Sequence, residues 1–167
     1  FGHAVYQCRE FTKGQPVLLL LGDMIYESYG PKSCMSQLID AYDKYGKGVA
    51  GVQEVTREQV QMYCTMKVDH LEGKNYDLSD IIEKPTPDQI MSLFSMLGRM
   101  VLPAEIYDII DHTPLHNGEI YLTDAMKELS NTKGMIAVDF EGKRYDMGNK
   151  LGVMEAQVEM ALKHKEI

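Results

Sequence analysis

The sequence predicts an α/β fold, on two observations. Short apolar runs stop abruptly at glycine or a carboxylate, which is the pattern of strands covered on both faces, and stretches of helical period alternate with them. The clearest run is Pro16–Met24, PVLLLLGDM, in which Val17 to Leu21 end at Gly22-Asp23. A short run bounded by proline and glycine reads as a strand of a parallel sheet. In open α/β sheets, ligands bind just beyond the carboxyl ends of strands. Asp23 stands at such a place, with Gly22 beside it to let a ligand approach. The residue types alone also allow a second reading, in which Asp23 caps a turn.

In chain order, HAVYQCREF (residues 3–11) carries Ala4, Val5, Cys8 and Phe11 at spacings that suit a short helix. Thr12 to Pro16 turns into the strand Val17–Leu21. Ser33 caps a helix from Cys34 to Tyr45, with Met35, Leu38, Ile39 and Tyr42 on one face, and Gly46 and Gly48 end it. Val49–Val55 reads as a strand and Arg57–Met62 as a short polar helix. Thr65–Val68 and Tyr76–Ile82 read as strands joined by a turn at Glu72–Asn75. Glu83-Lys84-Pro85 closes the second of these, since proline removes a donor. Leu93–Met100 is expected as a strand, and Pro103 as the first residue of a helix to Asp111. A loop over 112–118 precedes a helix from Glu119 to Leu129. Met135–Phe140 is a strand, Glu141–Arg144 a turn, and Leu151–Lys163 a final helix with Met154, Val158, Ala161 and Leu162 inward.

At 167 residues, without repeats or a linker, the chain is expected to form one domain spanning residues 1–167. The net charge of −8, with no basic stripe, argues against nucleic acid and membrane surfaces as partners. Cys8, Cys34 and Cys64 are widely spaced with no C-x-x-C, which points to reduced thiols in a cytoplasmic setting and not to a disulfide framework or zinc site. No apolar run approaches the length of a membrane-spanning helix, and no signal peptide is read at the start. The opening Phe1-Gly2-His3-Ala4-Val5 has no initiator Met and is already patterned, so the chain is expected to be part of a longer one.

Two constellations carry candidate chemistry. Asp23 and Asp146 each follow an apolar or aromatic run and have a glycine nearby, Gly22 and Gly148. Two converging carboxylates suit Mg²⁺ that also takes phosphate oxygens and water; two turn aspartates are the other reading. Glu83-Lys84 places a carboxylate and an ammonium at a strand end, where Glu could accept from sugar hydroxyls and Lys meet a phosphate, or both could be solvated. The histidines lack metal spacing; His112 and His116 have Pro114 between them. There is no G-x-S-x-G and no P-loop motif, so acyl transfer and P-loop chemistry have no support.

Taken in order, several motifs resemble one family. They are Gly2-His3-Ala4-Val5, Leu20-Leu21-Gly22-Asp23, Glu83-Lys84-Pro85, Gly98-Arg99, the block Gly118 to Ala125 (GEIYLTDA), and Phe140 to Gly152 (FEGKRYDMGNKLG). The chain resembles bacterial UTP–glucose-1-phosphate uridylyltransferase, or UDP-glucose pyrophosphorylase, over almost its whole length. The resemblance implies a Rossmann-like nucleotidyltransferase α/β/α sandwich with a mixed sheet. It implies a reaction that joins UTP and glucose 1-phosphate to give UDP-glucose and pyrophosphate. By resemblance, Asp23 and Asp146 bind Mg²⁺, Glu83 binds the glucose hydroxyls and Lys84 the phosphates. Gly22 and the position of Cys64 lie against substrate, and Gly2 belongs to a segment approaching the nucleobase. A homo-oligomer is expected.

The departures are specific. The family's G-x-G-T-R-x-L-P-x-[TS]-K stretch, which holds the triphosphate, does not occur in these residues. Little or no turnover is therefore expected from them alone, and Val17–Leu21 becomes a strand without its nucleotide-gripping neighbour, leaving a free edge. Met24 replaces a second Asp, Cys64 a Gly whose backbone faces the sugar, Met91-Ser92-Leu93 a P-S-N, and Met100 an aromatic residue. These changes bear on sugar specificity more than on the metal pair. They leave open a related sugar-1-phosphate nucleotidyltransferase, or a non-catalytic binding relic.

Overall fold

The structure, a computed structural model, describes residues 1–164. In chain order its elements are α1 (Gly2–Tyr6), α2 (Arg9–Thr12), β1 (Val17–Leu20), β2 (Met24–Ser28), α3 (Cys34–Tyr45), β3 (Gly48–Glu54), α4 (Arg57–Met62), β4 (Cys64–Glu72) and β5 (Asn75–Glu83). They continue with β6 (Phe94–Leu102), α5 (Ile106–His112), β7 (Leu115–His116), β8 (Glu119–Ile120), α6 (Leu122–Thr132), β9 (Met135–Asp139), β10 (Gly142–Asp146) and α7 (Lys150–Lys163).

Six strands form the central sheet in the order β1-β6-β3-β9-β5-β4. Its middle is made by simple alternation. On β9, Met135 and Ala137 point into one apolar layer and Ile136 and Val138 into the other, so the strand reads as an unbroken apolar run. The first layer holds α1, α5 and α6 through Val5, Ile106, Ile110, Leu122, Met126 and Leu129. The second holds α3 through Cys34, Leu38 and Ala41. The result is the expected α/β/α sandwich with a mixed sheet. The pair β3–β9 is parallel and every other neighbouring pair is antiparallel.

The structure corrects several expectations. β1 has the free edge expected of it, but it pairs antiparallel with β6, Val17 opposite Leu102 and Leu20 opposite Arg99, and is not a parallel strand. Its run is apolar, yet Leu20 is 50% exposed, and hydrophobicity does not record strand direction. Met24–Ser28 and Gly142–Asp146 form a two-stranded ribbon where no strand and a turn were expected. Each is short and polar on one side. Thr113 to Ile120 contains a small hairpin, β7–β8, so α6 begins at Leu122 and not at Glu119. Pro103 lies ahead of α5, which has Glu105 at its N-cap. The helix read over 3–11 breaks into α1 and α2 at Gln7-Cys8. On α7 the packing is inverted: Gly152 and Ala156 are buried, whereas Met154, Val158 and Leu162 are 62%, 57% and 78% exposed.

Local signals that hold include the Ser33 cap, whose hydroxyl accepts from Ser36 N–H at 3.0 Å, and Gly46 ending α3 in the left-handed region. No described helix is long and apolar enough to cross a membrane. Cys8, Cys34 and Cys64 are separate thiols.

Candidate functional site

The β2–β10 ribbon brings the two aspartates together. Met24 opens β2 opposite Asp146 at the end of β10, and Met147 N–H donates to the Asp23 carbonyl at 2.8 Å. Gly148 defines the space between them. A Cβ at residue 148 would sit 3.0 Å from Asp146 Oδ1 and 3.5 Å from Asp23 Oδ2, so this position is open because residue 148 has no side chain. Asp146 is firmly oriented: Gly148 N–H donates to Oδ1 at 2.8 Å and the Tyr63 hydroxyl to Oδ2 at 2.6 Å. Burial pushes this carboxyl's pKa up, but the Tyr63 hydroxyl, the Gly148 amide and the nearby Arg144 outweigh it. The net value lies below the ordinary carboxylate range.

This donor set fits Mg²⁺, which takes few protein carboxylates and fills its octahedron with phosphate oxygens and water. Among the described residues no group of three or more His, Cys, Asp or Glu converges into a complete cage. A cation between Asp23 and Asp146 would therefore depend on ligand oxygens.

The loop carrying Asp23 is pinned from below by Arg99, which donates to the carbonyls of Leu21 (2.7 Å), Gly98 (2.9 Å) and Met24 (2.8 Å). Its guanidinium also lies over the Tyr26 ring, 4.3 Å from the centroid. Gly98 holds φ +76°, and a Cβ there would be 2.7 Å from Leu21. The Gly98-Arg99 motif is thus the mount of the Asp23 loop.

Two clefts share a wall made by Met24, Met62 and Tyr63. The first, of about 470 Å³, is lined by Asp23, Asp146 and Gly148, a volume in the small-molecule range of roughly 300–1,000 Å³. The second is lined by Cys64, Glu83, Arg144 and further methionines. Glu83 ends β5 opposite Cys64. It lies two residues beyond buried Ile81 and shares the strand face that α6 covers, so it points toward that helix's first turn. Burial raises its pKa, against the pull of the Thr123 hydroxyl and the Lys84 charge. Lys84 takes a left-handed backbone, φ +44°, and donates its N–H to the Tyr63 carbonyl at 2.8 Å. Its exposed side chain lies on the rim, where Glu83 and Glu119 feel its charge.

Cys64 is buried; its thiol accepts from Met96 N–H at 3.4 Å, lies 3.6 Å from the Ser95 hydroxyl, and has its pKa pushed up to about 11 by burial. It is a neutral thiol turned toward β6. Gly22 is exposed, and a Cβ there would meet open space. Gly2 lines neither cleft; it is packed under Ile120, whose Cγ2 would be 2.6 Å from a Cβ. So Asp23, Asp146, Glu83 and Cys64 line adjoining clefts, Gly22 and Lys84 are exposed next to lining residues, and Gly2 stands apart. Tyr63 and Arg144 were not singled out from the sequence. Their signal was position only, next to Cys64 and inside the FEGKRYDMG block.

No family model matches the sequence. The chain is 40% identical over 99% of its length to UTP–glucose-1-phosphate uridylyltransferase 2 of Staphylococcus saprophyticus, covering 57% of that protein. It is 37% identical to the UTP–glucose-1-phosphate uridylyltransferase of Bacillus subtilis, again over 99% of the chain and 56% of the relative. In fold it matches a UDP-glucose pyrophosphorylase crystallised with UDP-glucose, with a TM-score of 0.93 and 32% identity, over 98% of this chain and 62% of that one. The chain therefore spans less than two thirds of the length of these relatives.

Proposed function

We propose, from its similarity in sequence and fold to UTP–glucose-1-phosphate uridylyltransferases, that the chain belongs with them and that its adjoining clefts form the metal and sugar-phosphate side of an active site that makes UDP-glucose. The observation that carries this reading is the open position at Gly148 between Asp23 Oδ2 and Asp146 Oδ1. Asp23 and Asp146 would hold Mg²⁺, which when bound neutralises phosphate charge and aligns the reacting oxygens. Tyr63 and the Gly148 amide keep Asp146 aimed. Glu83 accepts hydrogen bonds from glucose hydroxyls, and Lys84 on the rim meets phosphate as a point charge.

An oxygen of the glucose 1-phosphate phosphate attacks the α-phosphorus of UTP. The bond to the β-phosphate oxygen breaks and pyrophosphate leaves. The nucleophile is already ionised, so positioning and charge neutralisation are the protein's task. Gly22 and the Cys64 backbone lie along the substrate's path, and the segment of Gly2 belongs on the nucleobase side. The setting is cytoplasmic, and copies associate as a homo-oligomer.

Calorimetry with UDP-glucose and Mg²⁺ tests the reading. The wild type should bind in a Mg²⁺-dependent way, and Asp146→Ala should weaken binding at least about tenfold, the scale of one charge-assisted contact. Equal binding by both proteins would remove the metal assignment.

One observation favours a second reading. Three of the departures from the family pattern, Met24, Cys64 and Met100, line the same cleft as Glu83. Its walls are more apolar than a fully hydroxylated sugar requires, which suits a related sugar 1-phosphate bearing a deoxy or acyl group. Tighter binding of such a UDP-sugar than of UDP-glucose in the same experiment would select this reading.

A further inference from the structure

We propose that Arg144 binds the phosphate of the sugar-phosphate ligand from the floor of the cleft; this rests on the reading of the site above. Two arginines flank the Leu21–Met24 loop, and they differ in how their donors are used. Arg99 has three backbone carbonyls within 2.9 Å. Arg144 is as enclosed, with its side chain 8% exposed, yet among the described residues its polar contacts are only the Tyr63 hydroxyl and two longer ones. Its Nη1 lies 3.5 Å from Met24 Sδ, a weak acceptor, and 3.6 Å from Asp146 Oδ2. That oxygen already accepts from the Tyr63 hydroxyl at 2.6 Å. The guanidinium otherwise rests against the Tyr63 ring, 5.0 Å from its centroid.

A guanidinium has five N–H donors, and enclosing one with so few close acceptors is costly. It is tolerated here because the group borders a cleft, and the missing partner is an anion that enters it. Position selects the anion. Arg144 lines the cleft with Glu83 and stands beside Asp146. A sugar 1-phosphate with its hydroxyls at Glu83 and its phosphate directed at the Asp23–Asp146 pair must pass that phosphate over Arg144. The planar fork of arginine suits two phosphate oxygens at once, whereas Lys84 on the rim offers a single mobile charge. The aromatic ring beneath the guanidinium holds it flat for that contact. The Tyr63 hydroxyl leaves Asp146 only loosely paired with it.

The test uses the intact protein and UDP-glucose, with uridine as the phosphate-free probe. Arg144→Gln should weaken UDP-glucose about 10- to 100-fold with or without Mg²⁺ and leave uridine unchanged. Arg144→Lys should recover part of the loss. In the wild type, the ¹⁵N signal of the Arg144 guanidinium should shift on adding UDP-glucose and stay in place with uridine. This measurement decides the matter even if Arg144→Gln does not fold. UDP-glucose binding by Arg144→Gln within twofold of the wild type, or a guanidinium signal that UDP-glucose leaves unmoved, would overturn the assignment while the site reading stands. Absence of UDP-glucose binding by the wild type would overturn both.

Discussion

Glu83, proposed here to bind sugar hydroxyls, is a carboxylate whose burial is costly to the fold. Burial raises its pKa, the Thr123 hydroxyl and Lys84 offsetting only part of the effect. A carboxyl with a folded pKa above its unfolded one favours folding as the neutral acid. The resulting instability is absent below the unfolded value of about 4.5 and is complete once the pH exceeds the folded value. Glu83→Gln should therefore stabilise the fold at pH 7, read as a higher melting temperature, with the gap closing near pH 4. The same variant should lose UDP-glucose binding. A melting temperature below that of the wild type at pH 7 would show that the charge itself stabilises the fold. The site's residues were unequally legible for a related reason. Asp23 and Asp146 mark strand ends and Glu83-Lys84 an unusual pair, so their chemistry shows in residue type. Tyr63 and Arg144 act through the residues they touch, Asp146 above all, and no spacing in the chain of 167 announces a contact across 83 positions.

Among the elements, those buried on both faces or closed by a cap were legible: α3 between Ser33 and Gly46, α4 with its Thr56–Gln59 capping box, and the apolar run of β9. The β2–β10 ribbon was not, because each strand is five residues long and half polar, and its pairing is set by tertiary register. It is also the element that unites the aspartates, so the site was less legible than the sheet beneath it. Helix α7 shows a different ambiguity. Its apolar stripe was visible, but which side is covered depends on what packs against it. Lys143–Glu159 and Lys163–Glu27 ion pairs tie its polar side to the ribbon, and Gly152 comes close to the Asp146 backbone. Leu151, Met154, Val158 and Leu162 are left outward at 66%, 62%, 57% and 78% exposure. Such a stripe is the surface on which the proposed homo-oligomer would rest, since exposed apolar patches of this kind mark contact sites. The double variant Met154→Lys/Val158→Lys should sediment as a smaller species than the wild type with an unchanged melting temperature. Identical sedimentation at matched concentration would remove this face from the association.

At the scale of the whole molecule, the proposed reading gives the described surfaces one half of a two-substrate reaction. In it Glu83, Lys84, Arg144 and the Asp23–Asp146 pair would face a sugar and its phosphate. Nothing in the 167 residues matches the glycine-rich pattern that cradles a triphosphate, and the chain carries a net charge of −8. UTP approaching it meets repulsion, with few local cations besides Lys84 and Arg144 to offset it. Phosphoryl transfer gains most of its acceleration from holding both reactants in line, an advantage of about 7–11 kcal/mol when alignment is complete. Losing the grip on one reactant should remove a large part of it. These 167 residues alone, given UTP, glucose 1-phosphate and Mg²⁺, should release pyrophosphate at least about 10³-fold more slowly than a full-length relative, even at concentrations where UDP-glucose still binds. The paired measurement matters. Loss of both turnover and binding would indicate only an unfolded chain. Retained Mg²⁺-dependent UDP-glucose binding without turnover would locate the deficit in the triphosphate side. Pyrophosphate release within tenfold of the full-length relative would mean that the metal pair, Lys84 and Arg144 suffice to align UTP, and the division of labour between the two sides of the site would have to be redrawn.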